Sequence, residues 1–415
     1  MNTGRGIFYG WWVLVGVFVI MMVGPLSRYS MSAFFPFISA DMGWSRQAIG
    51  LAQSITLWTY SLFVLLCGWM IDRLGSRKTY LIGGLFTLAG WIALSTVGSL
   101  GQLYLYYGVL MGLAVSMTHA VPAQATLRKW FRRKAGLVVG ISSAAFAVGI
   151  SIFMPLLTNM ADSLGWRSTS LICGPSFGIV IILIAFFVIR DTPESMGLQP
   201  DGESFASGCE KDSAVVEISW TVKEAVKTSQ LWLLFLTYSM LALPLIGVQG
   251  HLVMWGVDLG SSRAAAGIFM TAMTVPSIVS KIGGGWLGDR YGKRLIILVG
   301  QILGIFVMLW GWQAVDTQQS LTIFAILMGI SYGLPVSLFS PYLGDLFGRA
   351  HVGSLFGIVT LGFGLVGGCG ALIWGKLFDM SGSYNLACLI SSICYVIAAV
   401  AIFLVRPITP KATLS

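Results

Sequence analysis

Two basic residues and one histidine stand deep inside long apolar segments of this chain: Arg28, Lys281 and His119. A fixed charge at that depth costs about 2.5–3.5 kcal/mol on insertion scales, so it must face protein, water or a ligand. Lys281 lies eight residues inside Asp289, roughly 12 Å from the end of its segment at about 1.5 Å per helical residue. Arg28 is about ten residues, or roughly 15 Å, from the end of its own. His119 is nine residues from Arg128, again near mid-depth. None of the 16 acidic residues falls in the middle of such a segment; Asp258 and Asp345 come nearest. The chemistry open to Arg28 and Lys281 is therefore to hold an anion that brings its own charge. Bonding to backbone carbonyls, or reaching along the helix to the surface, is the alternative that needs no ligand.

Proton transfer is the second chemistry these residues offer. Histidine titrates near pH 6.5 unless its surroundings intervene, and a buried lysine can release its proton. His119, His251 and Lys281 are the candidates, with Asp258 seven residues beyond His251. A buried, hydrogen-bonded structural histidine is the competing reading for both histidines. His351 sits in a basic loop and is expected to be solvated. Tyr332, Phe146 and Phe363 are candidate walls for the apolar part of a small ligand, with plain helix packing as the equal alternative.

The segments that must position these side chains are set by composition. Of 415 residues, 56% are hydrophobic and only 10% charged, with a mean hydropathy of +0.84. A soluble domain carries about 25% charged residues, so neither a soluble enzyme nor a disordered regulator is compatible with this chain. Twelve stretches have the roughly 20 apolar residues that span a bilayer: 9–36, 48–70, 79–99, 103–127, 135–159, 168–189, 231–255, 264–288, 295–314, 320–346, 353–374 and 385–405. The expected fold is an all-α membrane protein of 12 transmembrane helices. No small-residue cleavage site follows the first stretch, so it is expected to be kept as a helix.

Nineteen basic residues fall at the ends that share a side with the termini and four at the opposite ends. This bias predicts cytoplasmic termini. It also accounts for the net charge of +9 through topology and anionic lipid, so no nucleic-acid partner is expected. The six cysteines form no metal-type pair, and no metal or cofactor is expected.

The chain matches itself at an offset of 217 residues. DMGWSRQAIG at 41–50 falls on DLGSSRAAAG at 258–267, and GWMIDRLGSR at 68–77 on GWLGDRYGKR at 285–294. Gly136/Gly353, Gly140/Gly357, Phe146/Phe363, Asp162/Asp379 and Gly165/Gly382 follow at the same spacing. A duplicated six-helix unit is predicted, with bundles over 1–190 and 231–415 and a cytoplasmic linker over 191–230. Parallel repeats of this kind rock about a midplane site. In the duplicated GxxxDRxGxR turn, Asp72, Arg73 and Arg77, and likewise Asp289, Arg290 and Arg294, are expected to tie helix ends together during that motion. Arg28, His119 and Lys281 have the mates Leu245, Val336 and Val64. Polar residues that break the repeat are the ones expected to serve the ligand.

GWMIDRLGSRK and GGWLGDRYGKR resemble the loop signature of the major facilitator superfamily, and the likeness covers nearly the whole chain. WFRRKAGLVVGISSAAFAVG from Trp130, with Pro122-Ala123 upstream, is similar to the fifth-helix signature of the monocarboxylate porter family; related oxalate and nitrate carriers share parts of it. The resemblance implies two pseudo-symmetric six-helix bundles and a secondary transporter of small monocarboxylates such as lactate or pyruvate, usually with a proton. It implies no enzyme activity. Lys281, four residues before Gly285, holds the place of a functional arginine in that family, and Ser277 that of an aspartate in animal members. Arg28, before Phe34-Phe35, is similar to a first-helix lysine with a one-residue shift.

An organic-anion exchanger of the oxalate/formate type, or another small-anion carrier, remains the alternative on the same machine. GALIWGKL at 370–377 fails as a phosphate loop, because Leu377 stands where Ser or Thr binds magnesium. The expected partners are a small monocarboxylate, a proton and the lipid bilayer, and the chain is expected to work as a monomer. A multi-pass location in a plasma membrane, a bacterial inner membrane, is expected from the short loops and tails.

Overall fold

The computed structural model describes residues 8–131, 135–202, 220–348 and 351–406. Among these residues the regular structure is helical, with no strand. The first expected span is two helices, α1 (Gly10–Val23) and α2 (Leu26–Met42), interrupted at Gly24-Pro25. Proline has no N–H for the helical ladder and crowds the preceding turn, so the break falls where the sequence places it. Next come α3 (Arg46–Leu74) and α4 (Ser76–Ser95). The fourth span begins with α5 (Leu100–Leu103) and a wider π-helical stretch over Tyr104–Met111. It continues as α6 (Gly112–Thr118), breaks at His119 and ends in α7 (Ala120–Trp130). Helices α8 (Ala135–Leu164) and α9 (Trp166–Phe187) follow.

The short α10 (Val222–Ala225) carries a capping box between Thr221 and Glu224. Trp220 beside it donates its N–H to the Phe347 carbonyl at 2.9 Å. The remaining helices are α11 (Ser229–Asp258), α12 (Ile268–Tyr291), α13 (Lys293–Ala314), α14 (Gln318–Val336), α15 (Phe339–Phe347), α16 (Val352–Ser381) and α17 (Asn385–Leu404). Ten helical stretches among the described residues are long and apolar enough to cross a bilayer, which makes this a multi-pass membrane protein. The second and third expected spans are α3 and α4, helices of 29 and 20 residues.

The described residues pack as two compact units. One holds those within Met1–Met42, Ile55–Glu210 and Arg263–Gly267; the other those within Gly43–Ser54, Lys211–Ser262 and Ile268–Ser415. Each unit pairs its helices in the same way. In the first, α8 lies along α1 and α2, and α4 packs on α9 and α6. In the second, α16 lies along α11, and α13 packs on α17 and α14. The 217-residue repeat maps each of these pairings onto the other.

The backbone explains which glycines the repeat keeps. Gly43 and Gly260, Gly75 and Gly292, and Gly165 and Gly382 all have positive φ, between 65° and 94°. A side chain there would meet the following carbonyl, so only glycine turns the chain into the next helix without strain. Elsewhere small residues let helices approach. A Cβ on Gly370 of α16 would stand 2.2 Å from the Leu243 carbonyl oxygen of α11, and one on Gly367 2.6 Å from the Ala242 Cβ. Close backbone packing of this kind is how apolar helices gain contact where there is no water to expel.

Candidate functional site

In the first unit the two helix breaks meet. A Cβ on Gly24 would lie 2.5 Å from Thr118 Oγ1, so the interruption of the first span touches that of the fourth. Arg28 sits in the first turn of α2, its N–H donating to the Pro25 carbonyl at 2.9 Å. Its own carbonyl accepts from the Tyr107 hydroxyl, while Tyr107 accepts from Thr56 Oγ1 through its carbonyl at 3.1 Å. The guanidinium lies 4.9 Å from the centre of the Tyr29 ring. It pairs with no carboxylate among the described residues. His119 occupies the other break in an extended conformation, φ −104° and ψ −151°. Its Nδ1 is 3.3 Å from the Tyr60 hydroxyl. Phe146 of α8 joins the pair, its ring 5.3 Å from that of Tyr29 and 5.4 Å from His119. Arg28, His119 and Phe146, read separately from the sequence, fall in one cluster in the first unit. Tyr29 and Tyr60 complete it, and single aromatics in an apolar segment gave no signal by which to select them.

In the second unit Lys281 projects from α12 with its Nζ 5.3 Å from the centre of the Tyr332 ring on α14. Tyr332 is 3% exposed, and its hydroxyl has no hydrogen-bond partner among the described residues. A buried hydroxyl in that state costs about 1–3 kcal/mol, which a ligand oxygen or a water would return. Ser277, where the resemblance places an acid, is buried and donates to the Thr274 carbonyl at 2.7 Å. Phe363, on α16, lies against Tyr238 of α11 at 4.9 Å between ring centres. Tyr238 in turn packs at 4.4 Å on Phe339.

His251 and Asp258 stand in a hydrogen-bonded chain at the end of α11, also in the second unit. Asp258 holds both terminal nitrogens of Arg46, at 2.5 and 2.7 Å. The same guanidinium reaches the Tyr384 hydroxyl at 2.5 Å and lies 3.5 Å from the centre of the Phe378 ring. Tyr384 is 3.2 Å from Nδ1 of His251, whose Nε2 is 2.9 Å from the Ala371 carbonyl. A carbonyl only accepts, so Nε2 carries a hydrogen, and Nδ1 is left to accept from Tyr384. His251 is fully buried. Asp379 adds a second link by accepting from the N–H groups of Arg46 and Gln47, at 3.1 and 2.8 Å, and so caps α3. Arg46, Tyr384 and Asp379 were not singled out as functional from sequence. Arg46 and Asp379 have repeat mates and read as scaffold, whereas Tyr384 replaces Arg167 and marks a break in the repeat.

The duplicated turn is built differently in its two copies. In the first, the Arg77 N–H donates to Asp191 at 2.9 Å, and its guanidinium lies 4.7 Å from the Phe186 ring centre. Arg73 lies 5.6 Å from the Trp69 ring; the Asp72 side chain falls outside the described residues. In the second, Arg294 donates to the carbonyls of Ile402 and Phe403 at the end of α17. Lys293 pairs with Asp345 at 2.6 Å, while Asp289 and Arg290 are exposed and Arg290 lies 5.6 Å from the Trp286 ring. Residues 132–134 of the fifth-span signature also lie outside the described residues.

A helical membrane protein built from a duplicated unit, with cations at mid-span, belongs to the class of polytopic carriers. The profile described as Major Facilitator Superfamily matches residues 17–255 and 249–415, and the chain belongs to that superfamily of transporters. It is 26% identical to the oxalate:formate antiporter of Oxalobacter formigenes, over 98% of this chain and 94% of that protein. It is also 26% identical to monocarboxylate transporter 4 of Gallus gallus, over 93% of this chain and 80% of that one. Among solved structures, a bacterial homologue of the human lysosomal transporter Spinster, inward-facing and occupied, superposes with a TM-score of 0.74 at 16% identity. That likeness spans 96% of this chain and 97% of the other, and shows the fold.

Proposed function

We propose that this protein carries small organic anions, and specifically short monocarboxylates of the lactate or pyruvate kind together with a proton. The observation that carries this reading is the pair of mid-span cations: Arg28 faces no carboxylate among the described residues, and Lys281 stands against Tyr332, whose hydroxyl is unsatisfied. Each cation has the same task in its own unit, to offer positive charge to a passing carboxylate. The Lys281 ammonium is a point charge without the two-pronged geometry of arginine, which suits a small ligand that must also leave. Similarity to proteins named monocarboxylate transporter 4 and oxalate:formate antiporter supports the cargo class.

The proton rides on the substrate, on Lys281 or on His119, so that the loaded carrier moves with less net charge. Alternating access of the two halves completes the cycle. The working form is a monomer in a plasma membrane, and the distribution of basic residues supports cytoplasmic termini. Exchange of one organic anion for another is the second reading, favoured by similarity to the Oxalobacter antiporter over 98% of this chain.

Uptake of radiolabelled L-lactate into proteoliposomes tests the proposal. Accumulation above equilibrium under an inward proton gradient, abolished by a protonophore, is expected. Uptake that ignores the gradient but accelerates with carboxylate preloaded inside would establish exchange. Lys281→Gln should abolish either activity while the protein remains folded, and normal uptake by that variant would overturn the assignment of Lys281.

A further inference from the structure

The two copies of the DxGxSR segment end in arginines whose surroundings differ. In the second copy's surroundings the arginine is satisfied: Arg46 is held by Asp258 through two hydrogen bonds, with Phe378 beneath the guanidinium. Its repeat mate Arg263 packs in the first unit and should there meet Asp41, the mate of Asp258. Asp41 is already taken. Arg167, which stands where the other copy has the neutral Tyr384, forms the ion pair with Asp41, and the Trp166 indole N–H adds a bond at 3.1 Å. Arg263 is left exposed, 5.8 Å from the centre of the Phe37 ring.

Arg263, Arg167, Asp41, Phe37 and Trp166 line an open cavity of about 470 Å³ at the end of the first unit expected to face outward. Two guanidinium groups against one carboxylate leave that cavity with one unbalanced positive charge. Ala161 and Leu164 add apolar wall. We propose that this cavity is a second anion site, which takes a small carboxylate onto Arg263 in the place that Asp258 fills for Arg46, with the ligand's apolar end toward Phe37 and Leu164. The proposal rests on the reading of the protein as an anion carrier and adds to it a collecting site apart from the mid-span cations. An exposed charge pair of this kind is weak and salt-screened, which suits a site that concentrates substrate and releases it.

Two measurements test it. In proteoliposomes, Arg263→Gln should raise the apparent KM for external lactate about threefold to fivefold with the maximal rate kept within twofold; Arg263→Lys should recover most of the loss, and added salt should erase the difference. An unchanged KM, or a fall in maximal rate alone, overturns the proposal. The second measurement does not depend on transport. Phenylglyoxal modifies exposed arginines, and peptide mass spectrometry of the detergent-solubilised protein reads Arg263 directly. Acetate or lactate should slow modification of Arg263 relative to chloride at equal ionic strength. Equal rates in carboxylate and chloride overturn the site, whereas protection in a protein that fails to transport lactate would keep the site and reject the lactate reading.

Discussion

Arg46 closes on Asp258, 212 residues away in sequence, with both terminal nitrogens on both carboxylate oxygens. Each residue belongs to its own copy of the DxGxSR segment, so the arginine of one copy is neutralised by the acid of the other. The guanidinium and carboxylate are 11% and 27% exposed, sheltered enough for the geometry to matter. Two parallel charge-assisted bonds in this arrangement resist both rotation and substitution by lysine.

Removing one partner of that pair should be costly. Arg46→Gln or Asp258→Asn is expected to destabilise the protein by about 1–2 kcal/mol, discounted from a fully buried pair for the remaining exposure. The double variant should cost less than the sum of the two, a coupling that a double-mutant cycle on thermal unfolding in detergent would measure. Strict additivity would show that the pair contributes nothing.

Tyr384 links this pair to His251, donating to Nδ1 while accepting from Arg46. Tyr384→Phe deletes both bonds and leaves Nδ1 of a fully buried histidine without its donor. A loss of about 1–3 kcal/mol is expected. The same change should leave the KM for substrate intact, since the hydroxyl is committed to His251 and Arg46. A large rise in KM without loss of stability would instead place Tyr384 in contact with the substrate.

The meeting of the two helix breaks can be tested by size alone. A Cβ at position 24 would stand 2.5 Å from Thr118 Oγ1, too close without movement. Gly24→Ala should cost about 1–3 kcal/mol and slow uptake by displacing Arg28 and His119. Trimming both close atoms of the neighbour, Oγ1 at 2.5 Å and Cβ at 2.6 Å, in Gly24→Ala with Thr118→Gly, should restore part of both. Uptake by Gly24→Ala equal to wild type would detach the breaks from the site.

Tyr332 should discriminate among acids. Its hydroxyl lacks a partner among the described residues, so Tyr332→Phe is expected to leave stability unchanged or slightly raised. If that hydroxyl bonds the 2-oxygen of lactate, KM should rise about tenfold for lactate and stay level for acetate, a difference of about 1.4 kcal/mol in line with one hydrogen bond. Equal effects on both acids would make Tyr332 a wall and no more. Lys281→Arg, by contrast, should keep measurable transport of both acids, since the charge is retained.

Much of this protein was legible before any coordinates. Apolar length located the helices, because a bilayer leaves the backbone no other partner than itself. The 217-residue offset anticipated that the two units pair their helices alike, since duplicated sequence repeats the same steric instructions. The cost of a charge in an apolar segment singled out Arg28 and Lys281 as candidates, since a cation there must face protein, water or a ligand.

Other features came only with the tertiary structure. The breaks at Gly24-Pro25 and His119 are local, but their contact, which gathers Arg28, His119 and Phe146 into one cluster, depends on how α1, α2, α6 and α8 pack. Phe363, the repeat mate of Phe146, packs in an aromatic cluster with Tyr238. Similar residues met different neighbours, and rings select partners by available space rather than by position in a repeat. Arg46 and Arg263 show the same division of labour. Sequence makes them equivalent, and packing gives one an acid while an arginine in place of a tyrosine denies it to the other. Short-range geometry and chain composition are written locally; which charge ends up paired is decided by which side chains the packed helices bring within hydrogen-bond distance, about three ångströms.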